Sequence, residues 1–173
     1  HLDLGYLRKS YGLGWEFTPT RSWTVDAGWS RESRAGTNPQ SLGFYFAVPP
    51  AEVAAPVDFR TDWENLGLEF NRKSFNVGLR LAASQFGTNY DTLTWDNQIR
   101  LTDQAVNSSL QSIPGHGRMT LGTDNRMVQG TLYGGGNLPG HTRIDATVSR
   151  SETTQDDEFL PMTVNANLAP LLA

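Results

Sequence analysis

Apolar and polar residues alternate with a period of two along much of this chain, in pairs of runs joined by short turn signals. The clearest run is Phe75, Val77, Leu79, Leu81 and Ala83, opposed by Asn76, Gly78, Arg80 and Ser84. Another, Ile144, Ala146 and Val148, alternates with Arg143, Asp145, Thr147 and Ser149. This period puts apolar side chains on one face of a strand and polar ones on the other. Leu66, Leu68 and Phe70 precede the first run across residues 71–74, and Val128, Gly130 and Leu132 precede the second across residues 137–140. The latter is Asn-Leu-Pro-Gly, where proline fixes φ and glycine admits positive φ. Near the start, Tyr11, Leu13, Trp15 and Phe17 are followed, across residues 18–22, by Trp23, Val25, Ala27 and Trp29. Leu2, Leu4 and Tyr6 hold the opposite parity, which predicts a bulge near Lys9 or a break into two strands. The pattern predicts three antiparallel hairpins at about residues 2–33, 57–88 and 126–154, six strands in all.

Residues 31–56 and 87–125 are predicted as long loops. Compact soluble domains rarely hold structureless loops beyond ~12–15 residues. Outer-membrane barrels have short turns at one end and long loops at the other, with the apolar alternation facing lipid and the polar one the lumen. Aromatic residues bracket the short turns (Phe17 and Trp23, Phe70 and Phe75), where an interfacial girdle would lie. A further ~9–11 residues, the span of a tilted strand, reach Trp63 and Phe86 as its upper counterpart. An antiparallel sandwich whose apolar faces meet shows the same alternation, and pattern alone leaves it open. Six strands do not close a lipid-spanning barrel, since the smallest bacterial ones have ~8. The expected fold class is therefore all-β, with residues 1–173 forming part of one larger antiparallel transmembrane β-barrel.

Composition narrows the chemistry. The formal net charge of −4 leaves no basic footprint for nucleic acid. Absent cysteine excludes disulfides, thiolate metal sites and covalent c-type haem attachment. No apolar run is long enough for a transmembrane helix, and no Walker loop, nucleophile elbow or His-Glu-x-x-His motif is present. His116 and His141 follow Pro-Gly pairs and, like His1, have no carboxylate or nucleophile at a motif spacing, so solvated turn residues are expected. Asp156, Asp157 and Glu158 offer oxygen ligands for a hard cation but suit a solvated loop better. Asn107 heads a glycosylation sequon, uninformative in a bacterial outer membrane. Gly134, Gly135 and Gly136 are expected as turn material rather than a phosphate cradle, because no helix follows. No catalytic, cofactor or metal site emerges. What remains is a polar face carrying Glu16, Asp26, Arg80, Arg143 and Asp145, the candidate lumen residues, facing water or a close-fitting partner.

Three ordered pieces carry a family resemblance: PVDFRT at 56–61, Phe86 through LTWDN at 93–97, and LPGHTR at 138–143 running on to TQDDEFLPMT at 154–163. In these the chain resembles the MtrB/PioB family of outer-membrane barrels. The resemblance implies a many-stranded barrel in the bacterial outer membrane, in contact with its lipid and enclosing a periplasmic multihaem c-type cytochrome. An extracellular cytochrome at the long loops would be a further partner. Electrons would cross through that partner's haems, the barrel holding no cofactor of its own. Some relatives carry a Cys-x-x-Cys near the N-terminus; this chain has no cysteine, so no redox role of the barrel itself carries over. The alternatives are an open diffusion porin and a secreted β-sandwich that binds a ligand with its loops.

Overall fold

The computed structural model describes residues 4–43, 51–97, 115–158 and 160, all strand, turn or irregular chain. Eight strands appear: β1 (Gly5–Thr20), β2 (Trp23–Leu42), β3 (Ala51–Asn71), β4 (Phe75–Thr88), β5 (Thr92–Asp96), β6 (His116–Thr120), β7 (Asn125–Leu138) and β8 (Thr142–Thr154). Six form one antiparallel sheet in the order β1-β2-β3-β4-β7-β8, and β5 and β6 form a separate pair. The three predicted short turns are present, at residues 21–22, 72–74 and 139–141. At the last, Gly140 and His141 both take left-handed φ, +81° and +59°.

The strands are longer than their alternation. Residues 31–56 were expected as a loop, yet β2 and β3 pair without a break from Trp23–Phe70 to Leu42–Ala51. Prolines 39 and 56 lie inside these strands. Each sits where the strand on the other side has already ended, since β1 pairs no further than Thr37 and β4 no further than Phe59. A residue without an N–H is tolerated at such an edge. The expected loop at 87–125 holds the β5–β6 pair. Gly134, Gly135 and Gly136 lie within β7 rather than in its turn. The expected irregularity near Lys9 is absent, because β1 stays in register from Gly5 to Phe17 and shifts only between Phe17 and Thr20, around Pro19. The parity change at Lys9 marks instead the point where the apolar face of β1 gives way to charge.

Following the register assigns the faces. One carries Trp15, Phe17, Trp23, Val25, Leu66, Leu68, Phe70, Val77, Leu79, Leu81, Val128, Leu132, Ile144 and Val148. This apolar face is the uncovered one: Leu13 is 78 % and Val148 71 % exposed. Among the described residues only Leu42 and Ala55 are buried apolar side chains. A sandwich needs such a face pressed against another sheet; among the described residues none covers it.

The turns also step down the sheet. In the row Trp23–Phe70–Val77–Gly134–Ala146, the nearest turn residue is one position beyond Trp23, two beyond Phe70 and five beyond Gly134. That is about one residue of stagger per strand, which for ordinary strand rise and spacing means a tilt of about 35°. Transmembrane barrel strands tilt by a similar angle. The apolar face runs from Phe75 to Ala83 on β4 and from Val128 to Leu138 on β7, lengths that match the span of a tilted membrane strand.

At the turn end the expected girdle forms on this face. Trp23 packs on Phe70 at 4.7 Å, Phe70 on Phe75 at 5.8 Å, and Trp15 stacks on Phe17 at 5.7 Å. Its upper counterpart differs from expectation. Trp63 and Phe86 have the parity of the polar face, and Phe86 packs there on Phe59 at 5.4 Å. On the apolar face the upper aromatics are Tyr11 and Trp29, 5.8 Å apart, with the Arg31 guanidinium over Trp29.

Candidate functional site: the polar face of the sheet

The opposite face carries the polar half of each alternation, and all five candidate residues lie on it. Glu16 and Asp26 are directly paired across β1 and β2. Arg80 is in the same row two strands on, separated from Asp26 by Gly67. Arg143 and Asp145 stand apart from these three, near the β7–β8 turn, and satisfy each other: Arg143 donates from Nε at 2.9 Å and from Nη2 at 2.8 Å to the Asp145 carboxylate. Glu16 makes no hydrogen bond or ion pair among the described residues, whereas Asp26 accepts a long hydrogen bond from Asn65 Nδ2 at 3.4 Å.

Three further residues of this face were not among the candidates, although alternation already puts Tyr133 on it. Tyr133 on β7 lies across Gly78 on β4 and donates its hydroxyl proton to Glu69 on β3 at 3.1 Å. The Arg80 guanidinium sits 5.5 Å from the Tyr133 ring centroid, a distance at which a cation is attracted to the ring face. A chain of side chains thus ties three strands together laterally. The third residue, Asn65, lies over Gly28. No local motif marks these residues; only the register brings Glu69 to Tyr133.

Beyond the apolar face the same strands carry charge on both sides. Arg31 grips Asp62 through Nε at 2.5 Å and Nη2 at 3.1 Å, and Arg60 reaches the same carboxylate at 3.3 Å. On the polar side Glu32 binds Arg34 at 2.7 Å and also Arg8. These guanidinium hydrogen bonds hold the Asp62 and Glu32 carboxyls below the ordinary carboxylate range, Arg31 acting most strongly on Asp62 and Arg34 on Glu32.

Two of the weaker candidates change character. His116 is not in a turn; it opens β6, with Nδ1 2.9 Å from the Asp96 carboxylate on β5. Asp157 accepts a hydrogen bond from the Asp124 backbone N–H at 2.8 Å, and Asp124 accepts one from the Thr88 N–H at 2.9 Å. The acidic loop is therefore fastened to the end of β4, and no group of three metal-ligating side chains occurs among the described residues. His1 and Asn107 lie outside them.

A tilted sheet with its apolar side bare and its polar side tied together is the wall of a membrane barrel turned inside out relative to a soluble fold. The family model for the outer membrane beta-barrel porin, MtrB/PioB, matches residues 1–172. The chain belongs to the MtrB/PioB family. It is also 26 % identical over 133 residues to outer membrane protein MtrB of Shewanella baltica (strain OS185), a stretch covering 77 % of this chain and 18 % of that relative. The chain thus spans less than a fifth of the curated relative it matches. As an MtrB/PioB protein it resides in the outer membrane, in a porin-like class that is structural rather than enzymatic. The six-stranded sheet is open, with β1 and β8 at its edges.

Proposed function

We propose that this chain is part of the wall of a larger outer-membrane barrel whose bore encloses a multihaem c-type cytochrome. The apolar face meets lipid and the polar face, with Glu16, Asp26, Arg80, Arg143 and Asp145, meets the cytochrome. The wall excludes lipid and holds the partner, while the haems belong to that partner and carry the electrons. The paired extension of β2 and β3 beyond the membrane is where an extracellular cytochrome would dock. The observation that supports this reading most is the charge pattern of the polar face. Charges of both signs are spread over it, several held laterally within the wall (Arg143 by Asp145, Arg80 against Tyr133). Mixed, pre-positioned charge favours register and specificity against a protein surface. The relative's name, outer membrane protein MtrB, agrees with an outer-membrane assembly. The porin description of the family favours a second reading, a water-filled diffusion channel.

The two part on one measurement. The full-length parent, purified from outer membranes in detergent, should carry haem absorbance in fixed ratio to barrel. The double reversal Arg80→Glu with Arg143→Glu should lower that ratio while the barrel keeps its heat-modifiable migration, because lumen positions carry no lipid-burial penalty. A parent that carries no haem protein and passes small solutes into sealed vesicles is a porin.

A further inference from the structure

The polar face is built from repeated pairs in which a glycine stands directly opposite a polar side chain that lies flat over it. Asn65 covers Gly28, Asp26 covers Gly67, Tyr133 covers Gly78 and Asp145 covers Gly135, each a directly opposed cross-strand pair. At all four glycines a Cβ would occupy space already filled by that partner's side chain. On the apolar face the arrangement is different. A Cβ at Gly130 would meet only Leu81, at an ordinary 3.6 Å, one at Gly136 would meet its neighbours at 3.6 Å or more, and one at Gly134 would meet the backbone oxygen of Asn76 at 3.0 Å but no side chain lying over it. These four glycines of the polar face therefore act as beds for larger partners, while Gly14 on the same face is left open, and Gly78 is buried under its Tyr133.

A side chain that lies across its neighbour adds little height to the wall. Tyr133 shows how far this goes, since its ring spans Gly78 to reach Glu69 on the strand beyond. Cross-strand aromatic cover of glycine also stabilises a sheet, but Asn65, Asp26 and Asp145 are not aromatic and show the same posture. The charge of this low wall is uneven. Within the stretch opposite the apolar face it holds Glu16, Asp26, Glu69 and Asp145 against Arg80 and Arg143; Arg80 stands diagonal to Glu69 and shares Tyr133 with it, while Glu16 and Asp26 face each other across β1 and β2 with no arginine directly opposite either.

We propose that these glycine-bedded pairs form a low-relief docking wall for a folded protein whose facing surface is basic. This deepens the enclosed-partner reading above and rests on it. A water-filled channel has no need of low relief. A folded protein held along the length of a bore needs it everywhere, because any upright side chain sets a minimum gap. Close packing of this kind makes an interface sensitive to single misfitting side chains.

The test changes relief without changing charge. In the full-length parent, Gly28→Asn sets two asparagines opposite each other, so that one must stand up. The exchange variant, Gly28→Asn with Asn65→Gly, restores one glycine per pair with the same composition. Gly130→Leu on the apolar face is the control. The single change should lower haem per barrel by about tenfold, the scale of one badly fitted residue at a tight interface. The exchange variant should recover it, and Gly130→Leu should leave it unaltered. Should Gly28→Asn fail to give a heat-modifiable barrel, Gly78→Ala, which lifts Tyr133 by a single methyl, takes its place. Full haem retention in the folded single variant overturns the docking wall while leaving the enclosed partner standing. A parent without any haem protein overturns both.

Discussion

The lower and upper halves of β2 and β3 share one unbroken backbone ladder and differ in almost everything their side chains do. From Trp23 to Trp29 and from Leu66 to Phe70, one face is apolar and the other polar. From Arg31 upward the apolar face ends, and ion pairs take over both faces: Arg31 and Arg60 on Asp62, Arg8 and Arg34 on Glu32. Backbone hydrogen bonds propagate through both halves because they do not depend on side-chain polarity. Alternation therefore records the two environments on either side of the sheet, lipid and bore, and stops where they become alike. The strand itself continues.

The largest expected effect breaks the lower half. Leu81 lies within the apolar stretch of β4, one position of that face from its midpoint at Leu79, and Leu81→Arg there should destabilise the parent barrel in bilayers by ~2–4 kcal/mol. Arginine at Ser33, beyond the apolar stretch on the same face, should cost far less. Urea-induced unfolding of the two variants in lipid vesicles checks this; equal costs would remove the boundary between the halves.

That boundary explains what was legible in the sequence. Where lipid forces alternation, as from Val77 to Ala83 and from Ile144 to Val148, the strands, their facing and the flanking turns all follow from single-strand periodicity. Beyond it, cross-strand ion pairs such as Arg31 with Asp62 stabilise strands that look like polar loop, and Pro39 and Pro56 look like loop punctuation because edge positions cannot be told from sequence. Counting upward from the turns gave Trp63 and Phe86 as lipid-facing aromatics, but parity puts them on the polar face. The five lumen candidates shared a face as expected, since each belongs to an alternating run. The cross-strand roles of Tyr133, Glu69 and Asn65 were not legible because a glycine and its cover, such as Gly28 and Asn65, are matched only by register. The β5–β6 pair was missed for a similar reason, its two strands being short and far apart in the chain.

A mid-sized effect sharpens the comparison on the polar side of the lower half. Tyr133→Phe removes the hydroxyl that Glu69 accepts from while leaving the ring over Gly78. The loss should be about 1 kcal/mol, the net worth of one hydrogen bond, and well below that of Leu81→Arg. The ring supplies the cover and the hydroxyl only the tether, so Tyr133→Ala should cost more than Tyr133→Phe. Denaturant midpoints of the two variants, compared at equal slope, decide it; identical midpoints would mean that the ring contributes nothing as cover.

The smallest effect separates the halves by pH. Asp62 and Glu32 have carboxyls held below the ordinary range by their arginines. A carboxylate whose folded pKa is depressed stabilises the folded state in full above its unfolded pKa, and that contribution is lost as pH falls through the folded value. The upper half of β2 and β3 should therefore be fully held at neutral pH and loosen only under acid conditions, below the usual carboxylate range. The change should be modest, because the two carboxylates are only part-buried and their arginines more exposed, so that water and salt screen the pairs. Amide exchange checks it when protection of residues 31–42 is expressed relative to residues 23–29 of the same strand at each pH, which cancels the intrinsic pH dependence of exchange. Asp62→Asn should remove part of the transition and leave the part due to Glu32, and raised ionic strength should flatten both. If acid loosens the two halves of β2 in parallel, the ion pairs are not what holds the extension, and the ladder alone carries it beyond the membrane.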